Sequence, residues 1–219
     1  MTDSIDRLFA RVRREPFFWR FTLFTRILLA AGFIPTGMVK LLGHRFTSLT
    51  TGPVGEFFEA MYQTGAYWQF LGGSQVLAGV LLLFPRVAHL GAALFLPIMA
   101  NIFVITVAVG FTGTPYVTGL MLLAVTYLCA WDYHRFRSMV TTAPWPTALE
   151  IAEPQLDRWE RLGFVLFAAS MMAFWSAGRF GAPSLLRVPI LVGVGAGLFT
   201  LARFLYLRLR PTRLVASTR

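Results

Sequence analysis

The chain has 219 residues, of which 56% are hydrophobic and only 14% are charged. A soluble domain carries roughly a quarter charged residues, so this composition excludes a water-soluble core and predicts an integral membrane protein. The formal net charge of +10 comes mainly from arginines in the tails and between apolar blocks, which is the pattern of membrane topology rather than of nucleic-acid binding. Cys129 is the only cysteine, so electron transfer would need a bound cofactor or a partner subunit.

Six apolar blocks follow one another along the chain, each close to the roughly 17–25 residues with which a helix crosses hydrocarbon. They comprise residues 21–42, 67–84, 87–111, 115–131, 162–178 and 185–207. Backbone groups inside a bilayer must be paired within the chain, and no series of short alternating strands is present, so helices are predicted. The first block lacks a convincing cleavage site and is expected to be a retained helix rather than a signal peptide.

The arginines alternate between the two sides of these blocks. The N-terminal segment, the turn after the second block, the stretch after the fourth and the C-terminal tail are rich in arginine, whereas the intervening loops hold only Lys40, Arg45, Arg179 and Arg187. Because positively charged loops stay in the cytoplasm, both termini are predicted to be cytoplasmic.

This pattern predicts an all-α polytopic protein with five regions. A basic N-terminal segment (1–20) precedes a four-span bundle (21–137), a cytoplasmic linker rich in Pro, Thr and acidic residues (138–160), two further spans (161–207) and a basic tail (208–219). Gly193 and Gly197 in the sixth block form a small-xxx-small pair, which predicts close helix packing.

The longest external loop is predicted to contain a short interfacial helix over residues 54–64. Glu56, Glu59 and Gln63 share one face of that helix by their i, i+3, i+7 spacing, and large apolar side chains lie largely opposite. Such a helix would lie in the membrane interface or fold back on the bundle.

Lys40 is the only lysine, beside nineteen arginines, and it lies at the end of the first block. One interpretation is that it extends to the lipid headgroups; the other is that a compact ammonium is required there for binding. Arg26, inside the same block, is a candidate by the cost of burying charge, but its guanidinium is expected to reach the cytoplasmic headgroups. Gln75 and Asn101 need polar partners within the membrane, either another helix or a ligand.

Depth along the helices brings several of these groups together. Lys40 and the Glu56/Glu59 face would lie at the mouth of a pocket open to the outer leaflet, with Gln75 and Asn101 below. If their helices are rotated so that they point inward, the aromatic side chains that would line this pocket are Trp68, Tyr62, Phe33 and Phe103.

The three histidines provide no ligand pair of short spacing, so no metal site is predicted from them. His89, His134 and Asp132 flank adjacent spans at similar depth. No catalytic constellation specifies a reaction, and whether the protein is an enzyme stays open.

Residues 26–131, about half of the chain, resemble the DoxX-like family of small bacterial membrane proteins. The matching segments are 37–42 (Gly-Met-Val-Lys-Leu-Leu), 52–58 (Gly-Pro-Val-Gly-Glu-Phe-Phe), 64–65 (Thr-Gly), 79–86 (Gly-Val-Leu-Leu-Leu-Phe-Pro-Arg) and 97–103 (Pro-Ile-Met-Ala-Asn-Ile-Phe). The resemblance implies a four-helix membrane bundle, a bacterial cytoplasmic (inner) membrane location and a link to thiosulfate:quinone oxidoreductase and membrane redox complexes. Two departures matter: the family often has glutamate where this chain has Gln75, and the last two spans are an addition.

Three functions follow as alternatives. The first is an accessory membrane subunit that binds a quinone or a lipid near Lys40, with membrane lipids, redox subunits or a second copy of the chain as partners. The second is a small-solute or lipid permease, in which Arg26 would continue a polar path from Lys40 through Asn101. The third is a membrane-embedded enzyme acting on a lipid, with Glu56 or Glu59 as general base.

Overall fold

The computed structural model describes residues 2–139, 141–142, 155–179 and 186–209, and most of these residues are helical, with no strand among them. The helices are α1 (Thr2–Arg14), α2 (Pro16–Leu41), α3 (Gly52–Gln63), α4 (Ala66–Leu83), α5 (Ala88–Ala108), α6 (Thr114–Trp131), α7 (Tyr133–Phe136, continued by a 3-10 turn at Arg137–Met139), α8 (Arg158–Arg179) and α9 (Arg187–Leu209).

Six of these helices, α2, α4, α5, α6, α8 and α9, are long and apolar enough to cross a membrane, which confirms the six predicted spans. Many of their exposed side chains are large and apolar, among them Phe70, Leu120 and Leu191, as expected of surfaces that face lipid tails. The protein is therefore a polytopic helical membrane protein.

α2 begins at Pro16, five residues before the predicted start of the first span. Proline at the first position of a helix is preorganised by its fixed φ and loses no helical hydrogen bond. The preceding residue, Glu15, has extended backbone angles and separates α2 from α1. Part of the predicted N-terminal segment 1–20 is thus the first turn of α2.

α2 is the central helix of the molecule. Its apolar stretch is 72% buried, against 22–33% for the other five spans. One face packs with α4, α5 and α6 in a core that includes Leu29, Phe33 and Phe95. Another face packs with α8 and α9 around Ala31 and Phe164. The predicted four-span bundle and the additional pair of helices therefore share α2.

α1 is an amphipathic helix in a segment that the sequence predicted only as a basic tail. Asp6 is fully buried and accepts hydrogen bonds from Arg137, with 3.0 Å from Nη2 to Oδ2. Phe9 packs edge-on against Tyr133, with 5.6 Å between ring centroids. α1 is thereby held at the end of the bundle where α2 begins, which we call the α1 end.

α3 confirms the short helix predicted over residues 54–64 and starts two residues earlier. Gly52 has φ of +75°, a conformation that glycine adopts without strain, and Pro53 occupies the first turn. Phe58 on α3 lies near the rings of Phe46 and Phe111, at 5.2 and 5.8 Å between centroids. α3 therefore covers the opposite end of the bundle, the α3 end. Most of the predicted linker 138–160 and tail 208–219 lies outside the described residues.

Candidate functional site: a cavity beside Lys40

α2 and α4 come into close contact at two glycines. A Cβ atom placed on Gly72 would lie 2.7 Å from the Lys40 Cβ, and one on Gly37 would lie 2.8 Å from the Gly72 carbonyl oxygen. Lys40 and Gln75 each follow one of these glycines by three residues, so each shares a helix face with its glycine. The glycines therefore bring the two polar side chains together at the helix contact.

Lys40 is buried in this contact, with only 5% of its surface exposed. Its Nζ donates a hydrogen bond to Gln75 Oε1 at 3.0 Å. It also lies 4.3 Å from the ring centroid of Phe46 and 5.5 Å from that of Trp68, within the range of cation–π attraction. Trp68 is fixed in turn by its indole N–H, which donates to the His44 carbonyl at 2.9 Å. Lys40 thus does not extend outward to the headgroups.

A cavity of about 440 Å³ lies beside this group, and Lys40 and Gln75 form part of its wall. Its volume is within the range of small-molecule sites, roughly 300–1,000 Å³. On α2 the wall includes Leu28, Gly32, Thr36 and Lys40. These residues follow one another at i, i+4 spacing and form one helix face, which is about 18 Å long at a rise of 1.5 Å per residue. That length is comparable with the hydrocarbon depth of one leaflet, half of about 30 Å.

The remaining wall is largely apolar. The Thr106 and Thr118 hydroxyls are paired with each other at 2.9 Å, so they present little unsatisfied polarity to the cavity. Aromatic and aliphatic side chains of α3, α5 and α6 supply much of the surface: Phe57, Phe58, Met61, Ile102, Ile105, Val117 and Met121.

Asn101 also lines the cavity, as predicted, several residues before the end of α5. From the sequence, either another helix or a ligand was expected to supply a polar partner for its amide. Among the described residues the Asn101 side chain makes no hydrogen bond, so the amide is available to a ligand.

The fifth span contributes two residues that the sequence did not predict for the site. Trp175 and Arg179, near the end of α8, line the cavity. The Arg179 guanidinium carbon lies 4.4 Å from the Phe46 ring centroid, so this one ring contacts both Lys40 and Arg179. From the sequence Arg179 was only a loop charge, because no pattern indicated that α8 packs on α2.

Four predicted pocket residues lie outside the cavity wall. Glu59 accepts two hydrogen bonds from Arg45, both at 2.9 Å, and this pairing lowers the pKa of Glu59. The Tyr62 ring lies beneath the Arg45 guanidinium at 4.4 Å. Glu56 is exposed, and Phe103 faces α6. In place of the predicted acidic mouth, the structure has an exposed ion pair between Glu59 and Arg45 at the α3 end.

Arg26 lies toward the α1 end, away from this cavity, and does not reach outward. It is 7% exposed and its Nη2 donates to Asp132 Oδ2 at 2.7 Å. Arg13 lies 3.8 Å from the same carboxylate. The expectation that Arg26 extends to the headgroups is therefore wrong: folding of α6 brings a carboxylate to it, and an ion pair offsets part of the cost of burial.

His89 and His134 lie near Asp132 at the α1 end, as their positions along the spans predicted. Within the described ranges, no group of three or more His, Cys, Asp and Glu side chains is placed to hold a metal ion. Burial, followed by the nearby charge of Arg13, lowers the pKa of His134 to about 4.

No family model matches this chain, and no solved structure matches it. The chain is similar to a protein of Bacillus subtilis (strain 168) described as the uncharacterized protein YwoB, with 36% identity over 87 residues. The match covers 36% of this chain and 56% of the Bacillus protein. The comparisons therefore assign no activity to this chain.

Proposed function

We propose that the protein is a DoxX-like membrane subunit that binds an amphiphilic molecule, a quinone or a lipid, in the cavity beside Lys40. The observation that carries this proposal is a buried basic side chain, oriented by Gln75, at one end of a long apolar cavity. Ionisable groups at membrane depth are functional candidates by default. The role is that of an accessory subunit of a membrane redox system, because the sequence itself offers no redox centre.

The resemblance to DoxX-like proteins supports the same site. The segments that carry it include Gly37 and Lys40 on α2, the first residues of α3, and Asn101 on α5. All three helices contribute to the cavity wall. Five residues of those segments lie in the wall itself: Lys40, Phe57, Phe58, Asn101 and Ile102.

We also propose that the protein lies in the bacterial cytoplasmic membrane with the α1 end in the cytoplasm. The support is the excess of arginine in the segments at that end, since positive loops are retained on the cytoplasmic side. A green fluorescent protein fused to the C-terminus should fluoresce in intact cells. If that fusion did not fluoresce, and an alkaline phosphatase fused at the same position were active, this orientation would be contradicted.

The two alternatives have less support. A permeation path through Lys40 and Asn101 would continue to Arg26, but Arg26 is paired with Asp132 in the other half of the membrane. A lipid enzyme using Glu56 or Glu59 as a base needs that carboxylate within hydrogen-bond distance of its substrate. Neither glutamate lines the cavity.

Native mass spectrometry of the gently extracted protein, followed by lipid and quinone analysis, tests the binding proposal. The wild type should retain a specific small molecule, and Lys40→Met should retain it at roughly tenfold lower occupancy, the effect of losing one charged hydrogen bond. Arg45→Gln is the matched control, because Arg45 is a nearby basic residue outside the cavity wall.

Thermal melting of each variant shows whether the bundle is intact. Retention of only bulk phospholipid, equally by the wild type and both variants, would overturn the proposal.

A further inference from the structure

The α3 end of the molecule has more positive than negative side chains. Of the acidic residues that the structure describes, only Glu56 and Glu59 lie in segments at this end. Glu59 is already paired with Arg45. Among the described residues, Lys40 and Arg179 can therefore share at most one exposed carboxylate.

Glu56 does not compensate these two charges within the cavity. It is exposed on α3 and is not part of the cavity wall. The described residues of that wall include no Asp or Glu, and the stretch 180–185 that follows Arg179 contains none either. The hydrogen bond of Lys40 is to a neutral amide, and the described residues give Arg179 only the Phe46 ring. Lys40 is buried and Arg179 is partly buried. Because buried charges in proteins are ordinarily paired, a counter-charge is missing from the described part of the site.

The two cations share one aromatic neighbour. Both lie against Phe46, at 4.3 and 4.4 Å from its ring centroid. An ammonium acts as a point charge and a guanidinium offers a planar pair of donors, and both are used to hold carboxylate and phosphate groups. From this charged end the cavity extends about 18 Å along α2 to Leu28, and its wall is largely apolar, as an aliphatic tail requires.

We infer that the ligand is an amphiphile with an anionic headgroup, a carboxylate or a phosphate, held jointly by Lys40 and Arg179, with its tail along the α2 face of the cavity. This inference rests on the proposed binding function and narrows its ligand class. A neutral quinone would leave both charges uncompensated. The last two helices then have a role in binding, because α8 supplies the second cation.

Paired probes with and without charge test the inference on the full-length protein in detergent. Binding of hexadecanoate, hexadecanol, a decyl-substituted benzoquinone and acetate is followed by tryptophan fluorescence, since Trp68 and Trp175 line the cavity. The pH is kept above the carboxyl pKa of the acid. Hexadecanoate should bind roughly tenfold or more tightly than hexadecanol, the effect expected of a charged hydrogen bond.

Arg179→Gln should remove most of this preference. Arg187→Gln should keep it, because Arg187 is an exposed arginine near the same end that lies outside the cavity wall. Equal binding of acid and alcohol, or an unchanged preference in Arg179→Gln, would overturn the inference while leaving the proposed function in place. Complete displacement of hexadecanoate by acetate at the same concentration would also overturn the inference, because the site would then bind a free anion rather than an amphiphile. Failure of all three long-chain probes to bind would overturn the proposed function itself.

A second variant supplies the missing counter-charge from within the protein. Gln75→Glu places a carboxylate where the amide oxygen now lies, 3.0 Å from Lys40 Nζ. Hexadecanoate affinity should fall roughly tenfold relative to hexadecanol affinity. Gln69→Glu is the control, because Gln69 is exposed on the same helix and outside the cavity wall. An undiminished preference for the acid in a folded Gln75→Glu protein would contradict the inference.

Discussion

The buried charged side chains of this protein fall into two groups. At the α1 end, Arg20, Arg26 and Arg137 each hydrogen-bond a carboxylate from a different segment of the chain. At the α3 end, Lys40 has a neutral amide partner. Because a buried charge without a counter-ion is costly, the first group is explained by folding alone, whereas Lys40 is better explained by a ligand.

At the α1 end a single histidine should make stability depend on pH. The pKa of His134 in the folded protein is lowered to about 4 by burial and by Arg13, with Asp132 acting in the opposite direction. An unfolded histidine titrates near 6.5, so between these values the unfolded chain binds more protons. Stability should therefore fall as the pH drops from about 6.5 toward 4, by on the order of 1 kcal/mol since the ring is only half-buried.

Thermal melting in detergent at neutral and at mildly acidic pH measures this effect. His134→Gln should lose less stability on acidification than the wild type. His44→Gln, at the α3 end, should retain the wild-type response. An identical loss in His134→Gln and the wild type would assign the pH dependence to other groups, such as the nearby His89.

At the scale of elements, the contact between α2 and α4 is set by small residues. Gly37 and Gly72 meet near the α3 end, and Gly79 meets Ile34 deeper in the bundle, where an added Cβ would lie 2.8 Å from the Ile34 side chain. Close backbone approach through glycine is the usual basis of helix packing in membranes, where no hydrophobic force drives association. The position of Lys40 against Gln75 depends directly on this contact.

Gly72→Ala should separate the two helices at this contact. The new Cβ would meet the backbone of α2 at Leu41 and Gly37, which cannot rotate away as a side chain would. Overpacking of this kind costs about 1–3 kcal/mol, and the Lys40–Gln75 hydrogen bond should weaken with it. Thermal melting and ligand retention measure the two effects.

Gly73→Ala is the matched control, since its Cβ would lie 3.5 Å from a terminal carbon of Leu41, an ordinary contact. Equal melting temperatures for the two variants would show that the close approach of α2 and α4 at Gly72 does not determine the stability of the protein.

At the scale of the whole molecule, the last two spans are joined to the bundle through α2. Glu160 at the start of α8 is fully buried and accepts two hydrogen bonds from Arg20, at 2.7 and 2.8 Å. Phe24 packs on Phe164 and Phe167, with ring centroids 4.7 and 5.0 Å apart. This attachment places the far end of α8 beside the cavity.

Glu160→Gln should weaken that attachment strongly. It leaves Arg20 buried without a counter-ion, and breaking a buried pair in this way costs about 3–5 kcal/mol. Unfolding in a denaturant series, with the midpoint as readout, measures the loss. Asp157→Asn is the control, because it removes the nearby ion pair between Asp157 and Arg203, whose side chains are 29% and 28% exposed. Exposed ion pairs contribute about 1 kcal/mol or less to stability. A Glu160→Gln midpoint no lower than that of Asp157→Asn would contradict a dominant role for the buried pair.

Much of the architecture could be predicted because its signals are local. A bilayer demands long apolar helices, so the six spans follow from hydropathy alone. The helix α3 followed from its spacing of glutamates and large apolar residues. Gly193 and Gly197 were expected to pack against another helix, and both face α8. By contrast α1 was missed, because a segment dense in arginine was interpreted only as a basic tail.

The candidate site was predictable in part. By itself the sequence determined that Lys40, Gln75 and Asn101 are polar groups at membrane depth that need partners. Of the four aromatic residues proposed to line the pocket, the structure places Trp68 and Phe33 in the cavity wall. Only the tertiary structure decided that Glu59 turns to Arg45, that Asp132 reaches Arg26, and that α8 brings Arg179 to Phe46. Periodicity fixes the depth and face of a residue on its own helix. The rotation of that helix and its neighbours depend on contacts between segments far apart in the chain, which no local pattern encodes.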